Sequence, residues 1–428
     1  MKKRILVFPC GSEIGLEIHA ALKYSTHVEL WGGASVEDHG RFLYKNYIGN
    51  MPSVNESDFI ESINDIVKTY QIDLIFPAHD SVVLALAEHE NIIDAKLITS
   101  GEKVCAICRS KRKTYDLLRD TEFVPQQFEN YSEVSNFPVF VKPDIGQGSN
   151  GALKIETAEE LEYALLKDKS LLVLEYLPGR EYTVDCFTDR HGNLRFCGQR
   201  ERVRIKAGIS VNSKITETSS EVDRIAECIN SRLAFRGAWF FQIKKDKLGK
   251  FKLLEASPRI AGTMSVYRNL GINFPLLSVF DHLGYDVSIT KNNYQLEVDR
   301  AFTNRYSIDL DYNRVYIDFD DTIFDGNSVN EYVVMFIYQC LNESKELVLL
   351  TKHNKDIYQT LKKIRLDASV FHRIEHIGKD DKKYCYIDTE IKSIFVDDSF
   401  AERNEVKERC GIATFDLDSL ESLINWKR

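Results

Sequence analysis

FPVFVKPDIGQGSNG, from Phe137 to Gly151, decides how the rest of the chain is read. An apolar run ends on Lys142 and passes at once into a stretch carrying Gly146, Gly148, Ser149 and Gly151. Glycines let a backbone turn its amides toward oxyanions, and a lysine at the strand end adds a point charge to them. The stretch therefore reads as a strand followed by a phosphate cradle, and the rest of a nucleotide site is sought outward from it.

Downstream, LLVLEYLPGREYTVDCF puts Glu175, Tyr176 and Leu177 at a strand end, where a chain can hinge over an adenine. Glu181 follows on the next strand, where a carboxylate can accept from ribose hydroxyls. FFQIKKD and KLLEASPRIAG read as adjacent strands that set Gln242 and Glu255 on a common side, oxygen donors suited to magnesium, with Ser257 and Arg259 immediately after. In GQRERVRIKAGIS, Arg202 and Arg204 share a face in extended geometry.

These pieces, in this order, resemble the ATP-grasp superfamily, particularly its members related to carbamoyl phosphate synthetase and biotin carboxylase. The resemblance runs from about Lys3 through Leu277 and implies an α/β domain over 1–105 ahead of a grasp domain over 106–300. It assigns Lys111 of SKRKTYDLL and Lys142 to phosphates, GQGSNG to the flexible loop, Glu175 to Leu177 to the adenine hinge, Glu181 to the second glutamate, and Arg202 to phosphate or substrate. Its metal site, with an E-x-N-P-R pattern, corresponds to Gln242, Glu255 and Ser257 of EASPR; serine stands where asparagine is expected. Arg259 falls where the family steadies the transferring phosphoryl group or the acyl phosphate.

The activity implied is attack of a small-molecule carboxylate on the γ-phosphate of ATP, with magnesium or manganese, followed by displacement of the acyl phosphate by an amine. A grasp-type kinase without ligation and a nucleotide-binding regulatory protein are the other readings. A homodimer is an option, because relatives often dimerise.

Before the loop, RILVFPC, HVELWGG and DLIFPAHD alternate with helical stretches as in a parallel sheet. The turn CGSEIG is a partial dinucleotide fingerprint, but the acid that such a site needs at the end of the second strand is not in place.

Near the other end, VYIDFDDTIFDG, Val315 to Gly326, closes a strand on Asp318 and sends Asp320 to the same side. One carboxylate is thus placed to attack phosphorus and the other to move a proton. The DxDxT pattern resembles the haloacid dehalogenase (HAD) superfamily, whose phosphatases form an aspartyl-phosphate. That resemblance implies Asp318 as nucleophile, Asp320 as general acid and base, Thr351 of ELVLLT and Lys383 of DKKYCYI on the phosphate, with Lys382 and Lys379 as second choices. Magnesium falls to Asp318, Asp397, Asp398 and the backbone of Asp320. It implies an α/β domain over 312–428 without a large cap, acting on a phosphorylated small molecule.

The whole is expected to be a multidomain α/β and α+β chain: 428 residues are too many for one ordinary core. A hydrophobic fraction of 43% without a spanning run argues against a membrane protein, and a net charge of −9 against nucleic acid. Nine cysteines in no regular framework fit a reducing cytoplasm, and the isolated CxxC of Cys105 and Cys108 lacks the second pair that zinc needs.

Overall fold

Ile5, Leu6, Val7 and Phe8 are all buried, which a single strand achieves only when its sheet is covered on both faces. Ile5 and Val7 pack into one core, Leu6 and Phe8 into another, as the twofold alternation of a strand requires. The computed structural model describes residues 2–146, 148 and 150–427. Its contacts divide the chain into one unit reaching Phe302 and a second from Thr303 to Lys427.

The first unit holds three sheets. Strand Lys3–Phe8 lies at the centre of a five-stranded parallel sheet, flanked by Val28–Gly33 and then Asn46–Ile48 on one side and by Leu74–Pro77 and then Lys96–Leu97 on the other. Ser12 caps helix Glu13–Leu22 by accepting from the Gly15 amide, so the CGSEIG turn serves as a helix start. A four-stranded antiparallel sheet follows, in the order Gln127–Phe128, Leu172–Glu175, Val139–Lys142, Leu153–Ile155.

The third sheet has six antiparallel strands, in the order Phe251–Ser257, Gly237–Lys245, Glu181–Thr188, Leu194–Lys206, Ile209–Ile215 and Glu297–Asp299. Its edge strand, Glu297–Asp299, comes from the polar stretch that closes the unit and pairs with Asn212 to Lys214. Helix Ser220–Arg232 buries Val222, Ile225, Ala226 and Ile229 into the core that Trp239 and Phe241 fill from the sheet.

The register slips between Arg202 and Arg204, and this corrects the expected arginine face. A bulge puts one extra residue on the strand between the two arginines, and a second irregularity between Arg204 and Ile205 takes the register back. Arg202 turns inward, with 6% of its side chain exposed, and Arg204 outward, where it pairs with Asp299.

In the second unit, Arg314–Ile317 is the central strand of a five-stranded parallel sheet. Glu346–Thr351 and Arg373–His376 lie on one side of it, Ser393–Val396 and Ala413–Phe415 on the other. Helices Glu331–Asn342, Ile357–Ile364 and Phe400–Cys410 join the strands. Between the central strand and Glu346 the chain forms one turn region and one helix. No helix among the described residues is long and apolar enough to cross a membrane.

Candidate functional site

In the first unit the sequence-selected residues converge on two contiguous cavities. One, of about 150 Å³, is lined by Lys111, Lys142, Glu175, Tyr176, Leu177, Glu181 and the apolar Phe140 and Leu174. The other, of about 270 Å³, holds Ser257, Arg259 and Arg300. Lys111, Gly146, Gly148, Arg202, Gly208, Gln242 and Glu255 border both. Ser149 lies outside the described residues, and Gly151 borders neither cavity.

Lys142 ends its strand buried, with its ammonium donating to the Tyr115 hydroxyl at 2.9 Å and to the Leu254 carbonyl at 3.0 Å. Both partners are neutral. Burial, reinforced by the Lys111 charge, brings its pKa down to about 7. Lys111 donates to the Asp144 carbonyl at 3.2 Å, while the Asp144 carboxylate accepts from Ser110 Oγ and the Arg112 amide. Asp144, two residues after Lys142, thus ties the start of helix Lys111–Leu118 to the loop; the sequence reading passed it over.

The loop glycines are required by space. Gly148 has φ +61°, and a Cβ on Gly208 would come within 2.1 Å of the Gly148 carbonyl carbon. The glycine loop and the turn after Leu194–Lys206 therefore meet backbone to backbone, an approach open only to glycine. Glu175 Oε1 accepts from the Gln126 amide at 2.9 Å, which fixes the end of strand Leu172–Glu175.

Gln242 and Glu255 are register partners on neighbouring antiparallel strands, so their side chains emerge on one face. Arg202 joins Glu181 Oε1 at 2.5 Å, Gln242 Oε1 at 2.6 Å and the Gly208 carbonyl at 2.7 Å. Its Nε, among the described residues, is buried without a partner. One guanidinium therefore connects Glu181, Gln242 and the turn that meets Gly148.

Ser257 and Arg259 are engaged elsewhere. Arg259 grips Asp80 with Nε on Oδ1 and Nη2 on Oδ2, both at 2.6 Å, and Ser257 Oγ donates to Asp80 Oδ1 at 3.0 Å. The Arg259 charge outweighs burial and holds the Asp80 carboxyl at about 2. Asp80 opens helix Asp80–Glu88 of the parallel-sheet region. Its signal was present in DLIFPAHD, an acid directly after a buried strand, but nothing local to the sequence points it at Arg259.

In the second unit the acids gather at the carboxyl ends of parallel strands, where such sheets leave a crevice. Ligand atoms of Asp318, Asp397 and Asp398 lie within 4.8 Å of one another, the one group of His, Cys, Asp or Glu so arranged among the described residues. This all-oxygen set fits a hard divalent cation. Lys383 is buried between them, its Nζ 2.7 Å from both Asp318 Oδ1 and Asp397 Oδ2, while Lys382 is exposed and pairs with Glu405. Burial and the neighbouring Asp397 push Asp318 up to about 7 against the opposing pull of Lys383. Thr351 is fully buried at the end of its strand and accepts from the His353 amide at 3.1 Å. Asp320, with about half its side chain exposed, meets His353 Nδ1 at 2.8 Å. His353, which follows Thr351 by two residues in LLTKH, was missed in the sequence.

Cys105 and Cys108 are free thiols on helix Glu102–Arg109.

Residues 167–303 match a family model described as ATP-grasp in the biosynthetic pathway with Ter operon. Over 158 residues the chain is 28% identical to a D-alanine–D-alanine ligase from Fusobacterium nucleatum, covering 34% of this chain and 55% of that enzyme. It spans 31% to 55% of the length of the D-alanine–D-alanine ligases that it matches. A biotin carboxylase from Campylobacter jejuni, solved with βγ-ATP, superimposes with a TM-score of 0.57 at 18% identity, covering 69% of this chain and 75% of that one. An L-amino acid ligase from Bacillus licheniformis gives 0.53 at 17%, covering 66% and 74%. At these identities the structural likeness speaks to fold.

Proposed function

From the premise that the chain belongs to the ATP-grasp superfamily, we propose that it is an ATP-dependent ligase joining a small-molecule carboxylate to an amine, fused to a HAD-type phosphatase. The observation that carries the ligase reading is the convergence of Lys111, Lys142, Glu175 to Leu177, Glu181, Gln242 and Glu255 on adjoining cavities. Names of the matched relatives support carbon–nitrogen bond formation.

In this reading the adenine rests in the apolar cavity against Phe140 and Leu174, and its edge meets the backbone of Glu175 to Leu177. Ribose hydroxyls take Glu181 Oε2, the oxygen that Arg202 does not hold. The phosphates reach Lys111 and Lys142, and their charge draws a proton onto the Lys142 amine. Gln242 and Glu255 are the oxygen donors that fit magnesium, which when bound offsets charge on the phosphates. Ser257 acts indirectly: through Asp80 it helps hold Arg259 at the edge of the second cavity, where a carboxylate is activated and an amine arrives.

In the second unit Asp318 attacks phosphorus, Asp320 delivers a proton to the leaving oxygen, and Lys383 balances the paired carboxylates. Asp318, Asp397 and Asp398 are the donors that fit magnesium, whose bound charge would offset the phosphoryl oxygens.

The test is ADP release from ATP and magnesium by Asp318→Asn protein, with amino acids and sugar acids offered singly and hydroxylamine present. Hydroxamate formed with one carboxylate is the expected result. ADP without hydroxamate would replace the ligase by a phosphotransferase, and no ADP with any carboxylate would overturn it.

A further inference from the structure

His353 is held from every side. Its amide donates to Thr351 Oγ1 at 3.1 Å, its carbonyl meets His376 Nε2 at 2.5 Å, and Phe319 lies edge-on to its ring at 5.1 Å. The ring is buried, and each nitrogen has one partner: Asp320 Oδ1 on Nδ1 at 2.8 Å and Thr360 Oγ1 on Nε2 at 3.0 Å.

The Thr360 contact anchors the ring on the side away from Asp320. Thr360 Oγ1 also donates to the Asp356 carbonyl at 2.9 Å, so the ring is tied through it to the start of helix Ile357–Ile364. The ring is thereby oriented with Nδ1 toward Asp320 Oδ1, 2.8 Å away. Asp320, with about half its side chain exposed, would otherwise be free to rotate; a carboxyl just past a strand end has two easily crossed χ angles.

We propose that His353 is a positioning residue for phosphoryl transfer: anchored through Thr360, it fixes the Asp320 carboxyl so that its proton is presented to the leaving oxygen. The proposal rests on reading the second unit as a phosphatase. In the first step an Asp318 oxygen bonds to phosphorus as the bond from phosphorus to the substrate oxygen breaks, and that oxygen takes the Asp320 proton. In the second, water attacks phosphorus, the Asp318–phosphorus bond breaks, and the proton lost by water returns to Asp320. Each turnover converts a phosphate monoester and water into an alcohol and inorganic phosphate.

Proton delivery matters only when the leaving group is basic, and this separates the role from a merely structural one. The full chain with magnesium is assayed on p-nitrophenyl phosphate, whose leaving group needs no proton, and on ethyl phosphate, whose leaving group does. His353→Leu is expected to lower the ethyl-to-nitrophenyl ratio of kcat by about 10²-fold, the scale of general acid catalysis. His353→Asn, whose amide can meet Asp320 as Nδ1 does, should recover most of that ratio. An unchanged ratio in His353→Leu, or equal loss on both esters in a variant with normal melting, overturns the positioning role. Hydrolysis of neither ester by the unmodified chain, with Asp318→Asn indistinguishable from it, would instead sink the phosphatase reading, and the proposal with it.

Discussion

Two buried lysines in this chain meet opposite environments. Lys142, lining a cavity of the first unit, has a phenol and a carbonyl for partners, and its pKa falls to about 7. Lys383, in the second unit, has carboxylates at 2.7 Å on two sides, and its pKa rises although burial opposes the charge. The first lysine has no carboxylate among its hydrogen-bond partners, and on the proposed reading nucleotide phosphates would bring the anion. The second site contains its own anions, so its lysine balances charge that is already there.

Removing each lysine tests the contrast. Lys383→Met leaves two buried acids without their cation, and such a loss costs roughly 3–5 kcal/mol at neutral pH. Denaturant unfolding of the full chain should show it, together with loss of aryl phosphatase activity. Lys142→Met should do the reverse to stability, because it removes an ammonium that folding desolvates. The folded pKa lies below the usual 10.5, so the penalty is fully present below about pH 7 and fades as pH rises toward 10.5. At pH 6 the nucleotide-free variant should melt higher, by roughly 2–4 °C for each kcal/mol regained. Its ATP turnover should fall by about 10²–10³-fold. A lower melting temperature in both variants would erase the distinction.

The same contrast predicts proton uptake. At pH 8 Lys142 is mostly neutral, and nucleotide phosphates should restore its charge. Calorimetry of ADP binding in two buffers of different ionisation enthalpy should report close to one proton taken up at pH 8 and little at pH 6. Lys142→Met should abolish the difference.

The smallest effect compares two arginines of one strand. Arg202→Ala should weaken ATP turnover by about tenfold or more, since it frees Glu181, Gln242 and the Gly208 turn together. Arg204→Ala should change it less than about twofold, an exposed ion pair contributing little. Equal losses would mean that the bulge between them has no functional consequence.

Much of this was legible in residue order. Strand and lysine are consecutive, so the strand Val139–Lys142 ending on Lys142 needed no tertiary information. The spacing of Gln242 and Glu255 on two strands implied a shared face, and the pairing register places them opposite one another. DxDxT likewise marked Asp318 and Asp320, because alternation along a strand is a local property.

What was not legible depended on contacts across long separations or on a change of register. Arg204 could not be assigned outward, because a bulge is a property of two strands. Asp80 meets Arg259 across 179 residues, and the function of Ser257 as a donor to that acid follows only from this meeting. His353 resembled any histidine after a strand until folding brought it to Asp320 and Thr360.

By itself, then, the sequence determined which charged groups stand at which strand ends, since these follow from periodicity and local turns. Only the tertiary structure decided the charge environment of each group. A pKa of about 7 on Lys142 and on Asp318 arises from burial and neighbours, and neither is written in the residues beside them.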